Sequence, residues 1–157
     1  MTTETSPVVL NGVHEVRASV GRHFGYSNWL EITQDRVNRF AEATGDFQWI
    51  HVDVERAKKE SPYGGPIAHG YLTMSLSNML VPTVVRMDGF QMGINYGVDR
   101  VRFPAAVPVG ARIRAGVEML EVTDVAGGVQ TRVQITMEVE GSEKPACVIE
   151  SLSRWVV

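Results

Sequence analysis

The sequence predicts an α+β fold in which one long buried helix is covered by a one-sided antiparallel sheet of about five strands. Three observations predict it. Residues 68–80 place Leu72, Leu76, Met79 and Leu80 at helical spacing, and Ala68, Tyr71 and Met74 leave little polar surface, so this helix is buried. Two long runs alternate between apolar and polar residues. Ile113, Ala115, Val117 and Met119 alternate with Arg112, Arg114 and Glu118, and Val129, Val133, Ile135, Met137 and Val139 with Gln130, Arg132, Gln134, Glu138 and Glu140. Gly127-Gly128 and Gly141-Ser142 stand between the runs as hairpin turns.

Taken in order, residues 1–20 read as an approach segment to a single domain spanning 1–157. Residues 1–10 are expected to fray, and Asn11 to cap a short helix through Val20 that Gly21 stops. Tyr26 to Ile32 has the aromatic and β-branched content of a first strand. Thr33 then stands at an N-cap, Asp35 in the first turn, and Ile32 with Val37 as a hydrophobic staple. Val37, Phe40, Ala41 and Thr44 form one face, and Gly45 ends this helix. Asp46 to Val52 has no clean period and reads as a loop. Asp53 caps a second short helix, Val54 to Glu60. Residues 61–66 (SPYGGP), with two prolines and two glycines, cannot be regular structure. The buried helix follows, and Pro82 ends it. Both alternating runs are well above the usual strand length of about 5–6 residues. Gln91 to Phe103 and Ala146 to Val156 complete the sheet. Their alternation slips near Asp99 and near Glu150, so a bulge is expected in each.

Composition narrows the function classes. The chain has 157 residues, enough for one domain with a real core. A net charge of −3 and no Lys/Arg run argue against nucleic acid as a partner. The single Cys147 rules out an intrachain disulfide, so a reducing compartment is the default. The start has no basic residue ahead of its short apolar run and does not read as a secretory signal. No stretch approaches the roughly 20 apolar residues of a membrane span. A cytoplasmic protein with no membrane partner is the expectation.

Chemistry concentrates between Ala43 and Ser77. Asp46 and His51 lie five residues apart, and a loop can fold both side chains to one point. Adding water across an activated double bond needs such a pair, with one group taking a proton from water while another delivers one to carbon. The spacing alone leaves open a plainer reading, with Asp46 capping a turn and His51 a satisfied surface histidine. His69-Gly70 opens the buried helix, where backbone N–H groups are unpaired and the missing Cβ admits a ligand oxygen. Gly70 could equally serve only tight helix–sheet packing. Ser75 and Ser77 most simply bond back to the carbonyl four residues earlier. His14 and His23 have no partner in sequence. Met74, Met79, Met87 and Met92 read as core filler. No His/Cys/Asp/Glu grouping has metal-ligand spacing, there is no phosphate-binding Gly loop, and Cys147 lacks the context of a nucleophile.

Three motifs in order, ATGDFQWIHVD, GGPIAHGYLTMSLS and INYGVDRVRFPAAVPVG, resemble the MaoC-like enoyl-CoA hydratases of the hotdog fold, and most of all their nodulation-protein N-like branch. The resemblance runs from about Tyr26 to the end. It implies a long central helix wrapped by an antiparallel sheet, a homodimer, and (R)-specific hydration of trans-2-enoyl-CoA or the reverse dehydration. It places Asp46 and His51 on the family's catalytic pair. It places Gly70 on the glycine whose N–H polarises the thioester carbonyl, and Ser75 on a serine lining the same site. The substrate would be an acyl-CoA thioester, with no cofactor and no metal. One departure is visible. The family's Asp-x-Asn-Pro-x-His is here Asp46-Phe47-Gln48-Trp49-Ile50-His51, and the Gln48 amide is expected to contact the same water or the acyl portion. A hotdog thioesterase and a non-catalytic acyl-CoA-binding subunit are the alternatives. Lys58, Lys59 and Arg100 are too scattered to identify which residues hold the carrier's phosphates.

Overall fold

A computed structural model describes residues 6–157. The chain runs β1 (Val8–Asn11), α1 (Gly12–Ala18), β2 (His23–Tyr26), β3 (Leu30–Glu31), α2 (Gln34–Thr44), α3 (Trp49–Val52), α4 (Val54–Glu60), α5 (Gly70–Ser75) and α6 (Ser77–Leu80). A 3-10 turn (Val81–Thr83) leads to β4 (Val85–Asp88), β5 (Met92–Arg102), β6 (Arg112–Val125), β7 (Gly128–Val139) and β8 (Cys147–Val156). The main sheet has the order β2-β6-β7-β8-β5, with β3 also on β6. Its long pairings are antiparallel, as the alternating runs require. The inward row of β6 and β7 (Ile113, Ala115, Val117, Ile135, Met137) packs on Leu72, Leu76 and Leu80 to form the core. β7 alternates without a break between buried and half-buried residues. Its one buried polar member, Thr131, is satisfied by an N–H from Trp155 Nε1 at 3.1 Å.

The two caps form as the sequence predicts. Thr33 Oγ1 accepts from Arg36 N–H at 3.2 Å, and Asp53 Oδ1 accepts from Arg56 N–H at 3.0 Å. Gly45 closes α2 at φ 77°, in the left-handed region where glycine carries no Cβ penalty. Thr33→Ala and Asp53→Ala are each expected to lower stability by about 1 kcal/mol, the usual cost of losing such a cap. Urea unfolding of the two variants beside the parent checks this.

Several expectations need correction. Residues 8–10 do not fray, because Val8–Asn11 pairs in parallel with Val85–Asp88; residues 1–5 lie outside the described residues. Asn11 makes no side-chain cap, and its N–H instead donates to Glu15 Oε2 at 2.7 Å, with α1 ending at Ala18. The first strand begins earlier, at His23, and breaks after Tyr26. There Ser27 Oγ takes the Ala115 N–H at 2.9 Å, so a side chain replaces a rung of the ladder. Residues 49–52 form a helical turn rather than loop. The two register slips of the β5–β8 pairing fall on β5, around Tyr96 and Asp99, and β8 pairs β7 without one, so β8 carries no bulge.

The largest correction concerns the central helix, which is neither long nor buried all round. Ala68 lies outside the helix, its N–H donating to Val107 O at 2.8 Å. The helix starts at Gly70 and is interrupted at Leu76. Ser75 Oγ donates to Tyr71 O at 2.7 Å and Asn78 Nδ2 to Ser75 O at 3.3 Å, side-chain bonds that compete for the helix's own acceptors. Pro82 does not end it either, since it sits inside the 3-10 turn that continues it. Tyr71 is 67% exposed and Met79 49%, so one apolar face stays open.

Candidate active site

Three consecutive turns build the site. Gly45 reverses the chain at the end of α2 and sets Asp46 in a short exposed link, where its Oδ1 accepts the Gln48 N–H at 3.3 Å. Gln48 is the N-cap of α3, with φ −54° and ψ 134°. Trp49 therefore occupies the first helical position, where proline is favoured, which accounts for the family's proline standing there. Trp49 is held instead under the Arg56 guanidinium, 4.3 Å from the ring centre. α3 is docked on α2 by Gln34 Nε2, which donates to His51 O at 2.8 Å.

The segment Ile67–Gly70 then meets both members of the pair. His51 Nδ1 lies 2.7 Å from Ile67 O. A carbonyl only accepts, so Nδ1 carries the proton and Nε2 is left as a free lone pair. The same logic applies to His69, whose Nε2–H donates to the main-chain oxygen of Asp46 at 3.0 Å. The His51 and His69 rings stack with centres 3.9 Å apart at 27°. Burial, with a smaller push from His69, moves the His51 pKa below its ordinary value near 6.5, against the opposing pull of Ile67 O and Asp46. His51 is thus poised as a neutral base.

Asp46, His51, His69 and Gly70 line one cleft of about 350 Å³, together with Tyr71 and Phe103. A second, of about 280 Å³, shares His51, Gly70 and Phe103, and continues along Ile67, Ala105 and Val107. One ligand atom from each of Asp46, His51 and His69 lies within 4.8 Å of the others, which lets a single water bridge the carboxylate and the imidazole. The same trio does not suit a metal. The near-parallel stacked rings cannot aim two lone pairs at one point about 2.0–2.1 Å from both nitrogens. A further cavity of about 230 Å³, between α6 and β7–β8, holds no acid–base pair.

Of the residues singled out from the sequence, Asp46, His51 and Gly70 come together. Ser75 does not line either cleft, and its hydroxyl is spent on Tyr71 O. The Gln48 side chain is exposed and outside both clefts; what it brings to Asp46 is its backbone N–H. The Gly70 N–H has no partner among the described residues. With α5 only six residues long, this N–H itself, rather than a long helix dipole, is what the cleft offers. His69 and Phe103 were missed. For His69 the signal was present in the His-Gly pair itself.

Comparison with known proteins identifies the family. The model of the MaoC-like domain family matches residues 15–141. The chain is 50% identical over 145 residues to 3-hydroxyacyl-thioester dehydratase Z of Mycobacterium tuberculosis, covering 92% of this chain and 95% of that one. It is 41% identical over 134 residues to nodulation protein N of Rhizobium leguminosarum bv. viciae, covering 84% and 83%. Among solved structures, the unliganded R-hydratase of Pseudomonas aeruginosa superposes with a TM-score of 0.70 at 23% identity, covering 87% and 81%, a likeness of fold. On the family match and these identities, the chain belongs to the MaoC-like domain family and has the hotdog fold.

Proposed function

We propose that the protein catalyses (R)-specific addition of water to trans-2-enoyl thioesters of coenzyme A and the reverse dehydration. A hydro-lyase is what the family and its dehydratase relatives support. The observation that carries the finer reading is the Asp46 carboxylate and the His51 imidazole within 4.8 Å, beside the unpaired N–H of Gly70. In hydration, Asp46 accepts one hydrogen bond from the water, and His51 Nε2 takes its other proton. The hydroxide adds at C3, the C2=C3 pair flows to the thioester oxygen, and the Gly70 N–H donates to that oxygen. The proton returns from the pair to C2, so one water is added and nothing is oxidised. The thioester acidifies C2, so this chemistry calls on no metal or redox group. The second cleft, lined by Ile67, Ala105 and Val107, is the place for the acyl chain.

The test is incubation with crotonyl-CoA and longer enoyl-CoA esters. Loss of enoyl absorbance without free thiol supports the hydratase. Free thiol would make the protein a thioesterase, and tight binding without turnover a non-catalytic subunit.

The lowered His51 pKa has a sign. The neutral form is the active base, so the acid limb of kcat/KM is expected below pH 6.5. The unfolded chain binds the proton more readily than the folded one. This group therefore costs no stability above about pH 6.5, and its penalty grows as pH falls through that value toward the folded pKa. A pH–rate profile and urea melts across pH 5–8 check both.

The proposal includes a two-fold homodimer. What supports it is β5, an edge strand of 11 residues whose Met92, Ile94, Tyr96 and Val98 are all exposed. Long apolar edges invite pairing with a second copy. Ile94→Asp is expected to convert a dimer to a monomer in light scattering. A parent that is monomeric and active at working concentration would remove the dimer from the account.

A further inference from the structure

We propose that His69 is a positioning residue for the Asp46/His51 pair, a single ring that holds the Asp46 main-chain carbonyl and backs the face of His51. This rests on the proposed function and extends it. His69 is 3% exposed and sits between two rings, Phe40 at 4.9 Å and His51 at 3.9 Å. Its Nε2–H reaches Asp46 O, 23 residues earlier in the chain, at 3.0 Å. Its other nitrogen, Nδ1, is buried with no partner.

That orphaned nitrogen is the informative feature. His69 is the N-cap of α5 but makes no capping bond, so starting the helix does not explain a histidine. An apolar ring would fill the same place without burying a polar nitrogen that lacks a partner. The bond that an apolar ring cannot make is Nε2–H to Asp46 O. That bond tethers the loop carrying the carboxylate to the segment that also supplies Ile67 O to His51 and the N–H of Gly70. The segment Ile67–Gly70 thereby sets the spacing of carboxylate, imidazole and thioester-oxygen site. It is anchored in turn by Ile67 N–H to Ile50 O at 3.1 Å and Ala68 N–H to Val107 O at 2.8 Å. The titratable groups that bear on His51 are Asp46 and His69; Tyr63 and Tyr71 stand exposed at the cleft mouths.

Two variants separate the contacts. His69→Phe keeps a ring against His51 and loses the donor; His69→Gln keeps a donor within reach of Asp46 O and loses the stack. His69→Phe is expected to lower kcat by about 10–100-fold, the scale of a misplaced reacting group. KM should stay within about threefold, because ground-state binding is not touched. His69→Gln should recover part of kcat. In both, loss of the second imidazole removes one of the influences holding His51 down, so the acid limb of kcat/KM moves to higher pH. A purely structural residue would change melting temperature and leave kcat per folded molecule in place in both variants. If His69→Phe does not fold, His69→Gln carries the test. A folded variant with parental kcat and an unmoved acid limb overturns the proposal. Should the parent show no hydration or dehydration, the proposed function fails separately. The backbone NMR shifts of residues 46–51 then decide the positioning role: shifts changed in His69→Phe and largely restored in His69→Gln support it, and shifts unmoved in His69→Phe overturn it.

Discussion

Asp46→Asn and His51→Ala are each expected to lower kcat by about 10²–10⁴, the span for loss of a general acid or base. In the proposed reaction the two side chains share one water, their ligand atoms lying within 4.8 Å, so that neither substitutes for the other. Asparagine keeps the shape and the Gln48 N–H contact but cannot accept as a charged base does. Alanine at 51 removes the only free imidazole lone pair that the Ile67 bond orients. Because they act as a unit, the double variant should be little worse than the worse single. Losses that multiply would show two independent contributions and break the shared-water reading. Both variants are expected to fold, since Asp46 is exposed and α3 is held by backbone and Gln34 contacts.

Gly70→Val is expected to lower kcat/KM by about 10²–10³, comparable with losing one donor to a developing oxyanion. A Cβ at Gly70 would meet the Phe103 ring at 3.2 Å, and valine's branches extend further into the space both clefts share. The Gly70 backbone lies outside the left-handed region, so the chain itself accepts a side chain there. Stability should fall only by the cost of overpacking, about 1–3 kcal/mol. Activity assays beside thermal melts separate the two effects. A large drop in Tm with full activity per folded molecule would assign Gly70 to packing instead.

What the sequence made legible was whatever depends on neighbours in the chain. Thr33, Gly45 and Asp53 act within four residues of themselves, and all three behave as expected. The alternation of β6 and β7 reports burial directly, so the sheet and its antiparallel order could be read. Asp46, His51 and Gly70 could be read because each belongs to a short motif. What failed depends on distant contacts or on side-chain direction. β1 is four residues long, and its partner β4 is far along the chain. The break at Leu76 arises from Ser75 and Asn78 competing for carbonyls, which apolar periodicity does not register. That break, with the open face of Tyr71 and Met79, is why a helix that reads as fully apolar is half exposed. His69 owes its place to Asp46 and His51, both well upstream, and no spacing rule connects the three.

The most direct test of the central claim, an Asp46/His51 pair that moves one water at C3 and one proton at C2, is dehydration of the two enantiomers of 3-hydroxybutyryl-CoA. The account predicts enoyl absorbance rising with the (R) enantiomer, no reaction with the (S), no free thiol, and loss of the signal in Asp46→Asn. Consumption of the (S) enantiomer, or full activity in Asp46→Asn, would contradict it.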